Sequence, residues 1–193
     1  MKEKILVAAT GNEHKLKEIR EILKDFTVIS AREAGFFEEV EETEKTFLEN
    51  AFLKARAVAS KTGLAALADD SGLSVDALGG APGIYSARYS GGDSAENRKL
   101  LLQNMKGKAD RNAHFECAIA LVYPDGREYS SVGKTFGTIT EEERGANGFG
   151  YDSLFFSSDL QMTFAEATDE QKNSVSHRGR ALQGLLETLK GEQ

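Results

Sequence analysis

The sequence predicts an α/β fold, a β-sheet flanked by helices, from three patterns along the chain. The predicted strand at 4–9 is apolar after its first residue, Lys4. It precedes a Thr-Gly-Asn turn and apolar residues at helical spacing, which is the order of a strand, a turn and a helix. Residues 64–68 form a short apolar run after a glycine, which is typical of a buried strand. Alternating segments at 114–123 and 127–132, joined by Pro-Asp-Gly, predict an antiparallel hairpin in a second lobe or in an extension of the sheet.

Composition limits the classes of function that fit. The 193 residues suffice for one large domain or two small lobes with a substantial core. A formal net charge of -7 disfavours general nucleic-acid binding, so a phosphorylated small ligand needs local basic residues or a divalent cation. No apolar run approaches a membrane span, the N-terminus does not resemble a signal peptide, and the single cysteine, Cys117, fits a reducing compartment. We therefore expect a cytoplasmic protein that binds neither nucleic acid nor membrane.

The first predicted helix carries a candidate phosphate contact. Its apolar residues, Leu16, Ile19, Ile22 and Leu23, are spaced for one buried face. Backbone N–H groups at the start of such a helix bind anions, and Lys15 lies in this first turn, where the helix dipole disfavours a cation. A bound phosphate would reverse that effect. A solvated lysine is the alternative interpretation.

A second strand is expected at 26–29, and a glutamate-rich segment follows it. One of these glutamates is a candidate second carboxylate for a Mg²⁺ site, since Mg²⁺ takes one or two carboxylates together with substrate phosphates and water. Composition does not distinguish among them, and a solvated charged loop is the other interpretation. The glutamates are Glu38, Glu39, Glu41, Glu42 and Glu44.

A long helix is predicted from a capping box at 46–49 to about Thr62, where Gly63 ends it. Lys54 projects within roughly 20° of Phe47 at a rotation of about 100° per residue, so it lies at the edge of the buried face. The sequence allows either a lysine that extends along the surface to solvent or one that is aimed at an anion in a cleft.

Two adjacent aspartates, Asp69 and Asp70, follow the run 64–68. We expect the strand to end there and to deliver both carboxylates to the rim of the sheet, where α/β folds bind ligands. Because successive strand side chains point to opposite faces, one carboxylate is expected to hold a cation and the other to hydrogen-bond into the structure. The alternative is an ordinary polar turn. A long loop over 72–92 is expected next, with Arg88 as a phosphate ligand or a cation–π residue.

A glycine-rich segment at 145–152 leads into a strand at 153–156. Its aromatic residues, Phe149 and Tyr151, are suited to a pocket that stacks a flat ring. Base–aromatic stacking is worth about 1–3 kcal/mol per base in nucleic-acid binders. A glycine-rich turn that leads into a strand is the alternative.

Two further helices are predicted, at 93–105 and from about Lys172 to the C-terminus. In the second, Arg178 begins an apolar stripe that continues with leucines at helical spacing. An arginine there is desolvated and meets the positive end of the helix dipole, so it needs an acceptor or an anion nearby. A salt bridge with Asp152 or with a glutamate is the structural alternative, and the neighbouring His177 donates or accepts hydrogen bonds.

Six motifs in chain order resemble those of the inosine triphosphate pyrophosphatase family, also called the Ham1 family. Each alone is weak, but together they extend the resemblance over essentially the whole chain. They lie at 10–15, 42–50, 68–72, 82–85, 148–152 and 176–179. One departure is Glu44, where the family commonly has glycine.

The resemblance implies one domain over residues 1–193, a two-lobed α/β fold with a long central mixed β-sheet, an active-site cleft between the lobes, and a homodimer. It also implies Mg²⁺-dependent hydrolysis of the purine nucleoside triphosphates ITP, dITP or XTP to the monophosphate and pyrophosphate, which removes deaminated purines from the nucleotide pool. The alternatives are a Maf-type nucleotide pyrophosphatase, which prefers other nucleotides, and a nucleotide-binding sensor without turnover.

The resemblance also implies roles for residues of this chain. Glu42, twelve positions before Lys54, and Asp70 match the metal ligands, and Asp70 also matches the base that activates water. Lys54 is a further catalytic candidate, which would offset phosphate charge. As donors, His177 and Arg178 are expected to favour a 6-oxo purine over adenine. The matched substrate contacts are Thr10, Gly11, Asn12, Glu13, His14, Lys15, Ser71, Phe149, Gly150, Tyr151, Asp152, Lys172, His177 and Arg178.

Overall fold

A computed structural model of the protein describes residues 5–191. Lys4, which was expected to begin the first strand, lies outside the described residues, as do the residues before it. Over the described range, none of the helices has the length and apolar character needed to cross a membrane.

A seven-stranded mixed sheet runs through the chain. Its strands are β1 (Ile5–Ala8), β2 (Thr27–Ser30), β3 (Ala66–Val75), β4 (Asn112–Val122), β5 (Glu128–Ile139), β6 (Phe155–Ser157) and β7 (Met162–Thr163), in the spatial order β2-β1-β3-β4-β5-β6-β7. β1 pairs in parallel with β2 and β3, whereas β6 pairs antiparallel with β5 and β7. The predicted mixed α/β sheet is confirmed, and the two hairpin strands are neighbours joined by a turn at 123–127.

The helices begin where polar side chains cap their first turns. The α-helices described are α1 (Glu13–Ile22), α2 (Phe47–Thr62), α3 (Ser94–Asn104), α4 (Asp169–Val175) and α5 (His177–Gly191), with short 3₁₀ helices at Asp76–Leu78 and Gly83–Arg88. Asn12, Thr46 and Asp93 each accept backbone N–H groups at the start of α1, α2 and α3. Gly63 ends α2 in the left-handed conformation, with φ 68°. The three predicted helices at these positions are confirmed.

The chain forms two units with separate apolar cores. Unit 1 comprises the chain up to Asp70, residues 117–133 and the chain from Arg180, and unit 2 comprises residues 71–116 and 134–179. In unit 1, alternate residues of β1 and β3 enter two clusters on opposite faces of the sheet, one with α1 and α5 and the other with α2. Unit 2 has its own cluster, which includes α3 and β6.

Strand β3 is longer than predicted. It does not end at Asp69 and Asp70 but continues through them to Val75, so the expected loop over 72–92 is shorter and contains the two 3₁₀ helices. Both aspartates meet lysine side chains inside unit 1. A buried carboxylate that has a charged partner does not force the chain into a solvent-exposed turn.

The C-terminal helix begins later than predicted. Lys172 belongs to α4, and Ser176, with φ -67° and ψ 158°, separates α4 from α5. The Ser176 hydroxyl accepts a hydrogen bond from Gly179 N at 3.0 Å and so caps the new helix. A Cβ atom at position 179 would collide with the carbonyl of Asn173, which explains why glycine stands there.

Candidate active site

Strand β3 presents two carboxylates to different surroundings. Asp69 and Asp70 are 1% and 7% exposed. Consecutive side chains of a strand alternate in direction, so Asp69 lies on the face of unit 1 that packs against α1, and Asp70 lies on the face that packs against α2. Each aspartate therefore meets a lysine from a different helix.

Lys15 is the partner of Asp69. The Lys15 Nζ lies 3.0 Å from Asp69 Oδ2, and the Cys117 Sγ lies 4.0 Å from the same oxygen. Lys15 is therefore not the solvated lysine that the sequence left open. Asn12 Oδ1 accepts the backbone N–H groups of His14 and Lys15, at 2.9 and 3.2 Å, so the cap uses two of the amides that were expected to bind an anion.

The rest of the segment at the start of α1 faces solvent. Gly11, Glu13 and His14 are exposed, as is Asn12, and Thr10 is half-buried. The Thr10 hydroxyl accepts a hydrogen bond from Asn12 N at 3.1 Å. This segment is accessible to a ligand and leads directly into Lys15.

Lys54 joins the second carboxylate to the glutamate-rich segment. Its Nζ lies 2.6 Å from Glu42 Oε1 and 3.9 Å from Asp70 Oδ1, and it donates a hydrogen bond to the Asp69 carbonyl at 2.8 Å. The Lys54 side chain is 14% exposed, as expected for the edge of the buried face of α2. Of the glutamates in the segment 38–44, Glu42 therefore lies near Asp70, because both carboxylates approach the Lys54 ammonium group.

Burial and neighbouring charges act on both titratable groups of this cluster. Burial raises the pKa of Asp70 above its ordinary value, and the attraction of Lys54 only partly offsets it. Burial alone would lower the pKa of Lys54, but the charges of Asp70, Asp69 and Glu42 together raise it. Lys54 is therefore held as an ammonium ion among several carboxylates.

The backbone at Glu44 does not need a glycine. Gln161 is the only non-glycine residue with positive φ in the part of the chain that the structure describes, so Glu44 lies outside the left-handed region. The Asn50 side chain, which is 2% exposed, accepts Glu44 N at 3.0 Å and donates to Glu44 O at 3.4 Å. Asn50, a residue of the second motif to which no role had been given, thus fixes the segment that carries Glu42.

The donor set of this cluster fits a hard divalent cation. Glu42 and Asp70 offer carboxylate oxygens and already approach one cation, the Lys54 ammonium. Over residues 5–191, no group of three or more His, Cys, Asp or Glu side chains is arranged to hold a metal ion. Carboxylate oxygens are ligands that hard divalent cations accept, together with water and phosphate oxygens.

In unit 2, a buried ion pair holds the aromatic turn. Lys172 Nζ lies 2.6 Å from Asp152 Oδ2, and the two side chains are 4% and 5% exposed. The same oxygen accepts Phe149 N at 2.9 Å, and a Cβ on Gly148, whose φ is 73°, would collide with the Asp152 carboxylate. Asp152 and Lys172, which the resemblance places among the substrate contacts, bind each other and shape the turn at Phe149.

Tyr151 and Gly150 are also engaged within unit 2. The Tyr151 hydroxyl donates to Ser86 O at 2.8 Å, and the side chain is 5% exposed. Burial raises the pKa of Tyr151, so its hydroxyl stays protonated as a donor. Arg98 Nη1 donates to Gly150 O at 3.1 Å. These contacts fix the path of the turn and leave Phe149 as its half-buried aromatic surface.

The head of α5 lies against the same aromatic residue. Arg178 is 1% exposed, its Nη2 donates to Ser71 Oγ at 3.1 Å, and its Cζ lies 6.0 Å from the centre of the Phe149 ring. Lys172 Nζ lies 4.7 Å from the same ring centre. The His177 ring stacks on Phe115, with centroids 4.7 Å apart. The sequence predicts that Arg178 needs a hydrogen-bond acceptor, and the Ser71 hydroxyl is one such acceptor. Ser71 follows Asp70 directly in the chain.

The loop residue Arg88 is exposed and contacts an aromatic ring. Its Cζ lies 5.2 Å from the centre of the Tyr85 ring, and Tyr85 is 57% exposed. This is the cation–π alternative that the sequence left open.

Comparison with known proteins identifies the family. A model of the Ham1 family matches residues 6–188. The chain is 52% identical over 191 residues to a dITP/XTP pyrophosphatase of Geobacter sulfurreducens, with 95% of this chain and 96% of the relative covered. It is 47% identical over 195 residues to a dITP/XTP pyrophosphatase of Bacillus subtilis, with 98% of each covered. The structure of the Staphylococcus aureus Ham1 protein superposes with a TM-score of 0.88 and 41% identity, covering 98% of this chain and 100% of that protein. The chain belongs to the Ham1 family.

Proposed function

We propose that this protein hydrolyses deaminated purine nucleoside triphosphates, dITP, XTP and ITP, to the monophosphate and pyrophosphate. The observation that carries the proposal is the cluster of Glu42, Lys54 and Asp70, two carboxylates on one ammonium group. The printed activity of the relatives from Geobacter sulfurreducens and Bacillus subtilis supports the same reaction. This hydrolysis would remove deaminated purines from the nucleotide pool of the cytoplasm.

Glu42 and Asp70 would hold Mg²⁺ in this proposal. When bound, the ion neutralises phosphate charge and lowers the pKa of a coordinated water. Asp70 is the base that takes a proton from the water that attacks the α-phosphorus.

Lys15 and Lys54 supply positive charge to the triphosphate. The exposed segment from Thr10 to His14 precedes Lys15 and offers backbone and side-chain donors to the phosphates. Ammonium groups beside the triphosphate stabilise the negative charge that develops on the leaving pyrophosphate.

Unit 2 would recognise the base. Phe149 offers a ring for stacking, and Arg178 and His177 are donors for the 6-oxo group of a deaminated purine. Adenine carries an amino group there and would leave buried donors unpaired, which discriminates strongly. Ser71 orients Arg178 through the 3.1 Å hydrogen bond. A homodimer is part of the proposal, on the basis of the family resemblance alone.

A substrate panel tests the proposal. Pyrophosphate release is measured with dITP, XTP, ITP, dATP, dGTP, dTTP and UTP, each with Mg²⁺ and with EDTA. We expect turnover of dITP, XTP and ITP only with Mg²⁺, and values of kcat/KM for them far above those for dATP, which lacks a 6-oxo group. A preference for dTTP or UTP would support a Maf-type enzyme instead, and tight binding of dITP without pyrophosphate release would support a sensor.

A further inference from the structure

We propose that Lys54 is a built-in counter-cation of the metal site, which a divalent ion must displace from Glu42 in order to bind. The inference rests on the proposed function, because it takes Glu42 and Asp70 as the metal ligands. It adds a competition between lysine and metal for the same carboxylate oxygens. Lys54 then controls the affinity of the site for the metal, in addition to any contact that it makes with phosphate.

The contacts of Lys54 define the competition. Its Nζ is at hydrogen-bond distance from Glu42 Oε1, 2.6 Å, and within ion-pair distance of Asp70 Oδ1, 3.9 Å. A divalent ion bound by the same two carboxylates would be close to this ammonium group, and two cations at such distances repel. The Glu42 contact is the shorter one, so it is the contact that metal binding must break.

The charge balance of unit 1 explains why the chain needs this cation. Three carboxylates, Glu42, Asp69 and Asp70, lie within reach of two lysines, and Lys15 lies at Asp69. Lys54 contacts both Glu42 and Asp70 and so offsets the repulsion between them before metal arrives, while Lys15 also attracts Asp70. Without it, two adjacent carboxylates would face each other in a partly buried site, which is unfavourable.

A backbone hydrogen bond keeps Lys54 at the site when the metal replaces it at Glu42. Lys54 also donates to the carbonyl of Asp69 at 2.8 Å, an oxygen that a side-chain ligand exchange does not remove. An ammonium group released from Glu42 therefore stays at the site and becomes available to a triphosphate. This arrangement makes the metal alone a weak ligand and the metal–nucleotide pair a strong one, because the nucleotide gives the displaced ammonium a new anionic partner.

Metal binding without nucleotide tests the competition. Mn²⁺ binding to the full chain is measured by titration calorimetry for the wild type, Lys54→Gln, Lys54→Arg and Lys61→Gln. Lys61 is the matched control, since it lies on the same helix and pairs with Glu38 at 2.9 Å on the surface. Lys54→Gln is expected to tighten Mn²⁺ binding by about tenfold or more, because it removes a repelling charge close to the metal. Lys54→Arg and Lys61→Gln are expected to bind Mn²⁺ like the wild type.

Thermal unfolding gives a second readout. Without metal, Lys54→Gln is expected to unfold at a lower temperature than the wild type, and Mn²⁺ is expected to raise its melting temperature by more than that of the wild type. If Lys54→Gln folds only after Mn²⁺ is added, the competition is supported. If it does not fold even with Mn²⁺, Lys54 has a structural role and the proposal is wrong.

The outcomes separate this inference from the proposed function. Equal or weaker Mn²⁺ binding by Lys54→Gln, or no detectable binding by either protein, overturns the competition even if the wild type hydrolyses dITP. Tighter binding by Lys54→Gln in a protein whose wild type releases no pyrophosphate from dITP, XTP or ITP supports the competition and overturns the proposed function.

Discussion

Two ion pairs of equal length stand in very different settings in this protein. The Lys172–Asp152 pair of unit 2 and the Lys54–Glu42 pair of unit 1 are both 2.6 Å long. In the first, both side chains are almost fully buried, and the carboxylate also accepts the Phe149 amide. In the second, the side chains are 14% and 29% exposed, and Asp70 adds a second carboxylate. The fully buried pair shapes the fold, whereas the partly exposed pair, which has a second carboxylate beside it, can exchange its cation.

The largest effect is expected from a substitution in the cluster of Glu42, Lys54 and Asp70, which should abolish most activity and leave the fold intact. Asp70→Asn is expected to lower kcat for dITP by about 10²–10⁴-fold, the usual contribution of a general base. Burial raises the pKa of Asp70, so its stabilising contribution is present at low pH and is lost as the pH rises through its folded-state pKa. At neutral pH the variant should therefore melt no lower than the wild type. Asp25→Asn, at an exposed position, is the control and should change neither property.

Breaking the buried pair should give the opposite result, a loss of stability. Lys172→Met leaves the Asp152 carboxylate buried without its cation, which is expected to cost about 3–5 kcal/mol of unfolding free energy. Urea denaturation measures the loss. The double variant with Asp152→Asn should recover much of it, since the uncompensated charge is gone. Lys61→Met, at a surface pair, is the control, and an equal effect there would contradict the distinction.

The Phe149 ring provides a third test, because the Lys172–Asp152 pair fixes the turn that carries this ring and the ring is proposed to stack on the base. Phe149→Ala is expected to raise KM for dITP and XTP by about tenfold or more, from the loss of about 1–3 kcal/mol of stacking. The change in kcat should be smaller than the change in KM. Phe37→Ala, at a side chain that is 78% exposed, is the control. An unchanged KM for the Phe149 variant would rule out the stacking role.

The smallest effect concerns a third pair, on the surface of unit 1. Arg56 donates to both oxygens of Glu128 at 2.7 Å, and these hydrogen bonds lower the pKa of Glu128 below its ordinary value. A lowered carboxyl pKa stabilises the fold above about pH 4.5, and that stability is lost as the pH falls through the folded-state pKa. Glu128→Gln should therefore cost under about 1 kcal/mol at pH 7. In urea denaturation, a difference from the wild type that persisted at strongly acidic pH would contradict this assignment.

The sequence was sufficient for features that depend on local periodicity. The strand–turn–helix start, the cap at Thr46 and the position of Lys54 at the edge of the buried face follow from spacing along one element. The pairing of Lys172 with Asp152 was not foreseen, because it joins residues twenty positions apart on different elements. The end of β3 was misplaced for a related reason. Asp69 and Asp70 resemble turn residues until their lysine partners, which lie elsewhere in the chain, are known.

The run of β3 through Asp69 and Asp70 constrains how this segment can change. Because strand side chains alternate with a period of two, inserting or deleting a single residue just before Asp69 would exchange the directions of the two carboxylates. The carboxylate now beside Lys15 would turn toward Lys54, and the other would turn away from Glu42. This stretch therefore does not tolerate a change in length, and length differences among related chains should be confined to the turns outside it.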